Sequence, residues 1–175
     1  MDLSLLRALD GAPPWLTPLA LAASYLDEFG GIFLLIGICL LIFGRGPHRR
    51  AGMVILAALL LVLIVVDLGL KPLVHRPRPF QVLGMHMLIG PVPSGYSFPS
   101  GHTSAAFAGA VAWLKTAART RLGRILPIAF ALAVGWSRIY LGAHWPSDVL
   151  AGALVGSLLG YLAARFVPAS WGGAH

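Results

Sequence analysis

Long apolar runs constrain the fold of this chain more than any other feature of its sequence. Five of them are separated by short polar segments and lie at residues 30–43, 51–70, 102–118, 125–141 and 149–167. A helix needs roughly 20 apolar residues to cross the hydrocarbon core of a bilayer, and most of these runs approach that length. Charged residues make up 11% of the chain, against roughly 25% in ordinary soluble domains. The sequence therefore predicts an all-α, polytopic membrane helix bundle.

A shorter apolar run precedes these five and predicts one more helix. It covers residues 15–26, begins after two prolines and ends before Asp27. With this helix, the chain is expected to have about six transmembrane helices. We expect residues 1–13 to form an interfacial N-terminal segment, since the first ten residues lack the pattern of a signal peptide. A single membrane-embedded domain over residues 1–175 is the simplest organisation.

The charged residues predict the orientation of the chain in the membrane. The formal net charge is +7, and many of the cations lie in two turns, residues 44–50 and 115–124. Alternating spans place both turns on one face, which the positive-inside tendency makes cytoplasmic. A membrane surface explains this charge better than a nucleic acid does, so no nucleic-acid partner is expected. Six crossing helices put both termini in the cytoplasm; if the short first helix does not cross, only the N-terminus changes sides.

Three polar segments lie on the opposite, extracytoplasmic face. The first follows the second long run and contains Lys71 and Arg78. The second is Pro-Ser-Gly-His at residues 99–102, where the third run opens, and the third is residues 137–148, between the last two runs. Alternation of the spans alone brings these distant segments to one membrane depth. The sequence therefore predicts one polar site within residues 71–148.

The residue types in these segments suggest that the site binds phosphate. Three cations, Lys71, Arg78 and Arg138, match the charge of a phosphate group, and a guanidinium can bind two of its oxygens at once. Residues 100–102 begin a predicted helix, where free backbone N–H groups and the helix dipole favour an anion. Together these groups would form an oxyanion cradle before the substrate arrives.

Two histidines in the same segments suit phosphoryl transfer through a phosphohistidine. One histidine of the pair His102 and His144 would attack phosphorus, and the other would protonate the departing oxygen and later activate water. Asp148 follows His144 by four residues. It is near enough to accept a hydrogen bond from one ring nitrogen and leave the other free to attack.

The three segments resemble the signature motifs of the type 2 phosphatidic acid phosphatase superfamily. The first motif is a lysine, six residues and Arg-Pro, matched from Lys71 to Arg78 and the following proline. The second motif, Pro-Ser-Gly-His, is matched at residues 99–102. The third is Ser-Arg, five residues, histidine, three residues and aspartate, matched at residues 137–148. The resemblance implies a six-helix membrane core and metal-independent hydrolysis.

The resemblance also implies a role for each matching residue. It makes His144 the nucleophile and His102 the general acid and base, while Asp148 orients His144. The residues that it implies for phosphate binding are Lys71, Arg78, Ser100, Gly101 and Arg138.

The leading functional expectation is a hydrolase that removes phosphate from a lipid phosphate or diphosphate outside a bacterial-type inner membrane. A polyprenyl diphosphate such as undecaprenyl diphosphate is the favoured substrate, by analogy with compact bacterial members of the superfamily. Phosphatidylglycerophosphate and phosphatidic acid stay open as substrates, and so does a lipid-to-acceptor phosphotransferase. A small anion channel or transporter would leave His144 and Asp148 unexplained, and the membrane spans disfavour a vanadate-dependent haloperoxidase.

No cofactor and no metal is expected, because no group of His, Asp and Glu with ligand spacing occurs outside the motifs. The single cysteine, Cys39, excludes a disulfide within the chain. The expected partners are the lipid phosphate substrate and membrane lipids, with no obligate protein partner.

Four further polar residues are singled out by their positions. Asp67 lies four residues before Lys71 and is expected to pair with a nearby cation. His75 and Arg76 fall at variable positions of the first motif and are candidates for substrate contact. His86 is expected to be incidental, although its apolar loop could shape access for lipids.

Overall fold

The computed structural model describes residues 2–9, 13–84 and 95–172, and the regular elements within these ranges are helices. The α-helices are α1 (Asp2–Leu9), α2 (Leu16–Leu26), α3 (Gly31–Phe43), α4 (Pro47–Val62), α5 (Lys71–Val74), α6 (Pro79–Leu83), α7 (Gly101–Thr116), α8 (Arg121–Tyr140) and α9 (Pro146–Phe166). A π-helical stretch, Leu63–Leu70, joins α4 to α5. The predicted all-α fold is confirmed. His86 and most of its loop lie outside the described residues.

Helix α7 lies at the centre of the bundle and packs against α4, α8 and α9. The contact with α9 is close because α9 carries glycine at every fourth position: Gly152, Gly156 and Gly160. A Cβ atom at Gly156 would lie 2.2 Å from the Ser104 carbonyl oxygen of α7. Small residues at this spacing let two membrane helices approach closely enough for extensive van der Waals contact. The glycines therefore fix the position of α9 relative to the start of α7.

One aromatic side chain of α3, Phe33, packs this helix against α7 and α8. Phe33 is 3% exposed, and a Cβ atom at Gly109 of α7 would lie 2.3 Å from its ring. The Phe33 ring also meets Phe130 of α8 edge to face, with 6.0 Å between centroids. Phe33 thus joins three helices of the core.

Apolar helices long enough to cross a membrane confirm the predicted membrane character. Within the described residues, the qualifying stretches are Pro47–Leu83, Arg121–Tyr140 and Pro146–Phe166. Helices α2 and α3, bent by 41° at their junction, would make a fourth as one broken span. The count of six transmembrane helices is not confirmed, because α2 has only 11 residues and α7 only 16.

The two ends of the bundle differ in the residues they collect. At one end, Arg50 of the first cationic turn donates from Nη2 to the carbonyl oxygens of Ala164 and Val167, at 2.9 and 3.1 Å. At the other end, the Ser147 N–H donates to Asp2 Oδ1 at 3.0 Å. Helix α1 therefore lies at the end that carries the polar motifs. Six crossing helices would have put it at the opposite end, so the structure has the alternative arrangement, in which the N-terminus changes sides.

Candidate active site

The three motifs meet at one end of the bundle, as the sequence predicted. Arg78, just before α6, brings Nη1 within 3.1 Å of Nε2 of His144, in the loop between α8 and α9. Lys71 reaches the start of α7, since a Cβ atom at Gly101 would lie 2.9 Å from its Nζ. Glycine at this position leaves the space that the lysine occupies.

His144 is held in one tautomer and is 2% exposed. Its Nδ1 lies 2.8 Å from the Ser97 carbonyl oxygen, which can only accept, so Nδ1 carries the proton. Nε2 therefore keeps its lone pair on the side of Arg78. Burial lowers the pKa of His144 well below its ordinary value of 6.5, and the positive charges of the motif cations lower it further. The neutral imidazole is the form that can act as a nucleophile.

Asp148 does not make the hydrogen bond to His144 that the sequence suggested. Its Oδ2 lies 3.7 Å from Nδ1, because the Nδ1 proton is already donated to a backbone carbonyl. Oδ2 instead accepts the N–H of Trp145 at 2.9 Å, and Oδ1 accepts from Arg76 Nη1 at 2.6 Å. The carboxylate thus fixes the backbone next to His144 and does not bind the ring directly.

The start of α7 offers fewer N–H groups than the sequence suggested. The Ser100 N–H donates to the Asp148 carbonyl oxygen at 3.0 Å, which ties α7 to α9. The Ser100 hydroxyl caps the helix and accepts from Thr103 Oγ1 at 2.9 Å. The N–H groups of Gly101 and His102 come next, in the first turn, where a helix supplies no partners of its own. They are the backbone donors left for an anion.

Arg78 is held mainly by backbone oxygens and is 4% exposed. Its Nε donates to Gly95 at 3.1 Å, its Nη2 to Tyr96 at 3.3 Å and its Nη1 to Ala143 at 3.0 Å. These acceptors fix the plane of the guanidinium before a ligand binds. All of them belong to the segment that carries the motifs.

Arg138 is held differently, by side chains from the N-terminal part of the chain. Its Nη1 donates to the Ser24 hydroxyl of α2, and its buried Nε has no hydrogen-bond partner among the described residues. Asp27, next after α2, is fully buried, and neither of its carboxylate oxygens has a hydrogen-bond partner within the same ranges. Asp27 lies within electrostatic range of Arg138. No local sequence pattern indicates this proximity, because Asp27 resembles an ordinary acidic residue at a helix end.

The remaining singled-out residues have structural partners. Lys71 pairs with Asp67, with 2.5 Å between Nζ and Oδ1, as the spacing predicted. The His75 ring packs on Tyr96, with 4.3 Å between centroids.

Among the described residues, no three His, Cys, Asp or Glu side chains are grouped as metal ligands would be. The positive charge that this site offers to a ligand comes from lysine and arginine side chains.

Comparison with known proteins identifies the family of this arrangement. The family model of the PAP2 superfamily matches residues 51–171. The chain belongs to the PAP2 superfamily. Undecaprenyl-diphosphatase of Sulfolobus acidocaldarius is 34% identical over 81% of this chain and 67% of its own length. Undecaprenyl-diphosphatase BcrC of Bacillus subtilis is 31% identical over 95% and 84%.

A solved structure of the superfamily shares the fold along almost the whole chain. The crystal structure of Aquifex aeolicus LpxE superposes with a TM-score of 0.74 at 29% identity and covers 94% of both chains. The present chain, like these relatives, is a membrane phosphatase that acts on lipid phosphates or diphosphates. The enzyme class expected from the motifs is thus confirmed.

Proposed function

We propose that this PAP2 phosphatase hydrolyses a polyprenyl diphosphate, with undecaprenyl diphosphate as the favoured substrate, through a phosphohistidine on His144. The observation that carries the mechanism is the fixed tautomer of His144, whose Nε2 lone pair lies beside a buried guanidinium. The substrate class is supported by the two relatives named undecaprenyl-diphosphatase.

In the proposed first step, His144 Nε2 attacks the terminal phosphorus. A P–N bond forms and the bridging P–O bond breaks, while His102 donates a proton to the departing oxygen of the lipid monophosphate. Lys71, Arg78 and Arg138 offset the charge that develops on the phosphoryl oxygens. As the P–N bond forms, the Nδ1 proton stays bonded to the Ser97 carbonyl oxygen, which disperses the positive charge gained by the ring.

In the second step, His102 takes a proton from water, and the resulting hydroxide attacks phosphorus and breaks the P–N bond. Orthophosphate leaves, and both histidines return to their starting protonation states. Transfer to a lipid or alcohol acceptor would follow the same course with a hydroxyl in place of water. Adding such an acceptor to the assay and looking for a phosphorylated product tests that alternative.

An apolar surface beside the site supports a lipid tail as part of the substrate. Leu73 and Val74 of α5, directly after Lys71, are 78% and 46% exposed. Contacts between a tail and such a surface contribute binding free energy away from the reacting phosphorus. Shortening the polyprenyl chain should therefore lower kcat/KM.

The decisive experiment is release of orthophosphate by the purified protein from a panel of substrates in detergent. The panel holds undecaprenyl diphosphate, phosphatidylglycerophosphate, phosphatidic acid and a soluble sugar phosphate. The highest kcat/KM is expected for undecaprenyl diphosphate. A preference for phosphatidylglycerophosphate would overturn only the polyprenyl choice, whereas a preference for the sugar phosphate would overturn the lipid substrate.

We also propose that the site faces the extracytoplasmic side of a bacterial-type inner membrane. The support is the segregation of Arg45 and Arg49 to the opposite end of the bundle. In a Cys39→Ser background, Leu3→Cys should react with an impermeant thiol reagent added to intact cells, whereas His48→Cys should not. The reverse labelling pattern would put the site in the cytoplasm.

A further inference from the structure

We propose that Asp2 and Arg76 are positioning residues for His144, and that helix α1 is a strap that holds the catalytic loop through them. The inference rests on the proposed function only in taking His144 as the nucleophile. Neither residue is a phosphate ligand in this arrangement; both act through Asp148 and the first turn of α9.

Arg76 joins two carboxylates that are far apart in sequence. Its Nη1 donates to Asp148 Oδ1 at 2.6 Å, and its Nη2 donates to Asp2 Oδ2 at 2.8 Å. The Asp148 carboxylate is fully buried, and a buried carboxylate is costly unless a cation or hydrogen-bond donors compensate it. Arg76 supplies that cation. Its guanidinium fork can serve both acids at once, which a lysine ammonium cannot do with the same geometry.

Asp2 also binds the first turn of α9 directly. Its Oδ1 accepts the Ser147 N–H at 3.0 Å, and its Oδ2 accepts the Ser147 hydroxyl at 2.6 Å. Burial opposes ionisation of Asp2, but the hydrogen bonds from Ser147 and Arg76 outweigh it and lower its pKa. Asp2 is therefore ionised at neutral pH and works as an N-terminal cap supplied by another helix.

The contacts of Asp2 and Arg76 reach His144 through its neighbour, Trp145. The Arg76 guanidinium carbon lies 5.3 Å from the centre of the Trp145 ring, and the Trp145 Nε1–H donates to the Pro77 carbonyl oxygen at 2.9 Å. The backbone N–H of Trp145 donates to Asp148 Oδ2 at 2.9 Å. Arg76 thus contacts the Trp145 side chain and also the Asp148 carboxylate, which accepts the Trp145 backbone N–H.

The position of α1 explains why its loss would affect turnover more than substrate binding. Among the described residues, Asp2 binds Arg76 and Ser147 and none of the predicted phosphate ligands Lys71, Arg78 and Arg138. It binds Ser147, in the first turn of α9, which directly follows the loop that carries His144. A misplacement of about 1 Å at a reacting group costs up to about 100-fold in rate.

The test is a set of full-length variants assayed for kcat and KM on the lipid diphosphate. Asp2→Asn should lower kcat about tenfold and leave KM within about twofold, because the nucleophile is misaligned while the phosphate ligands are unchanged. Asp2→Glu keeps the charge and should recover most of the loss. Leu3→Ala, which changes an exposed side chain of the same helix, is the matched control and should keep wild-type kinetics.

Arg76→Lys tests whether Asp2 acts through the arginine. It should lower kcat about tenfold alone, and the double variant with Asp2→Asn should lose less than the product of the single losses. Activities are normalised to the amount of folded, monodisperse protein in detergent, so unfolded material does not count. Wild-type kcat in Asp2→Asn, or strictly multiplicative losses with Arg76→Lys, would overturn the strap. Absence of phosphate release by the wild-type protein would instead overturn the proposed function.

Discussion

The two buried arginines of the site are held by different parts of the chain and by different kinds of group. Arg78 donates to three backbone carbonyls of the motif-bearing segment, residues 71–148. Arg138 donates to Ser24 and lies within electrostatic range of Asp27, both in the N-terminal part of the chain. That part precedes the 51–171 region matched by the family model.

Constant chemistry and variable recognition can share one site because the two arginines have different kinds of partner. Backbone carbonyls persist whatever the side chains at their positions, so the geometry of Arg78 survives sequence change. Side-chain partners such as Ser24 and Asp27 can be exchanged by single substitutions. We infer that the motif-bearing segment determines the reaction, whereas the N-terminal part adjusts how strongly Arg138 binds phosphate.

Activity should depend most strongly on the nucleophile of the motif-bearing segment. His144→Ala should reduce orthophosphate release by about 10³-fold or more, because the covalent route is lost. The matched control is His48→Ala, since His48 is exposed in the cationic turn at the opposite end of the bundle. Near-normal turnover by a folded His144→Ala protein would show that another group attacks phosphorus.

The second prediction compares the two arginines directly. Arg78→Lys should lower kcat/KM by about 100-fold, because a lysine cannot satisfy three carbonyls and still contact phosphate. Arg138→Lys should cost less, about tenfold, since its surroundings are side chains that can adjust. Steady-state kinetics on the same lipid diphosphate measure both. Equal losses would mean that the N-terminal part is as rigid as the motif-bearing segment.

The sequence predicted which motifs meet at this site better than it predicted the groups that hold them in place. The spacing of Lys71, Arg78 and His144 was sufficient, because alternating spans and helix ends bring the motifs together whatever the loop details. The membrane character followed from the apolar runs in the same way. What could not be predicted depends on tertiary contacts: no local pattern shows that the Ser97 carbonyl oxygen accepts a hydrogen bond from His144 Nδ1–H, or that Asp27 lies beside Arg138.

The number of spans is not confirmed, and the side on which α1 lies was left open by the sequence, for a related reason. Helix α2 is apolar enough to resemble a span, but its 11 residues cannot cross a bilayer alone. Hydropathy does not show that α2 continues into α3 across a bend. The contact between Asp2 and Ser147, 145 residues apart, decides on which end α1 lies.

The third prediction concerns pH and tests whether His144 of the motif-bearing segment is buried in its neutral form. Below about pH 6.5, His144 takes up a proton in the unfolded state but stays neutral in the folded state, since its folded pKa is lowered. The unfolded state then binds more protons, so His144 makes the free energy of unfolding fall by up to about 1.4 kcal/mol per pH unit on acidification. Denaturant unfolding in detergent from pH 7.5 to 5 measures the slope. His144→Asn should have the shallower slope, and identical slopes would contradict a buried neutral imidazole.

The smallest effect is expected in the N-terminal part, and its sign is diagnostic. Asp27→Asn keeps the shape of the side chain but removes the carboxyl group that lies within electrostatic range of the buried Arg138. The melting temperature without ligand should fall, whereas vanadate, an analogue of the phosphoryl transition state, should bind a few-fold more tightly because it supplies negative charge. Glu28→Gln, at an exposed acid that also attracts Arg138, should change both quantities less. Weaker vanadate binding by Asp27→Asn would mean that Asp27 aims Arg138 at the ligand and does not compete with it, and the N-terminal part would then belong to the fixed machinery of the site.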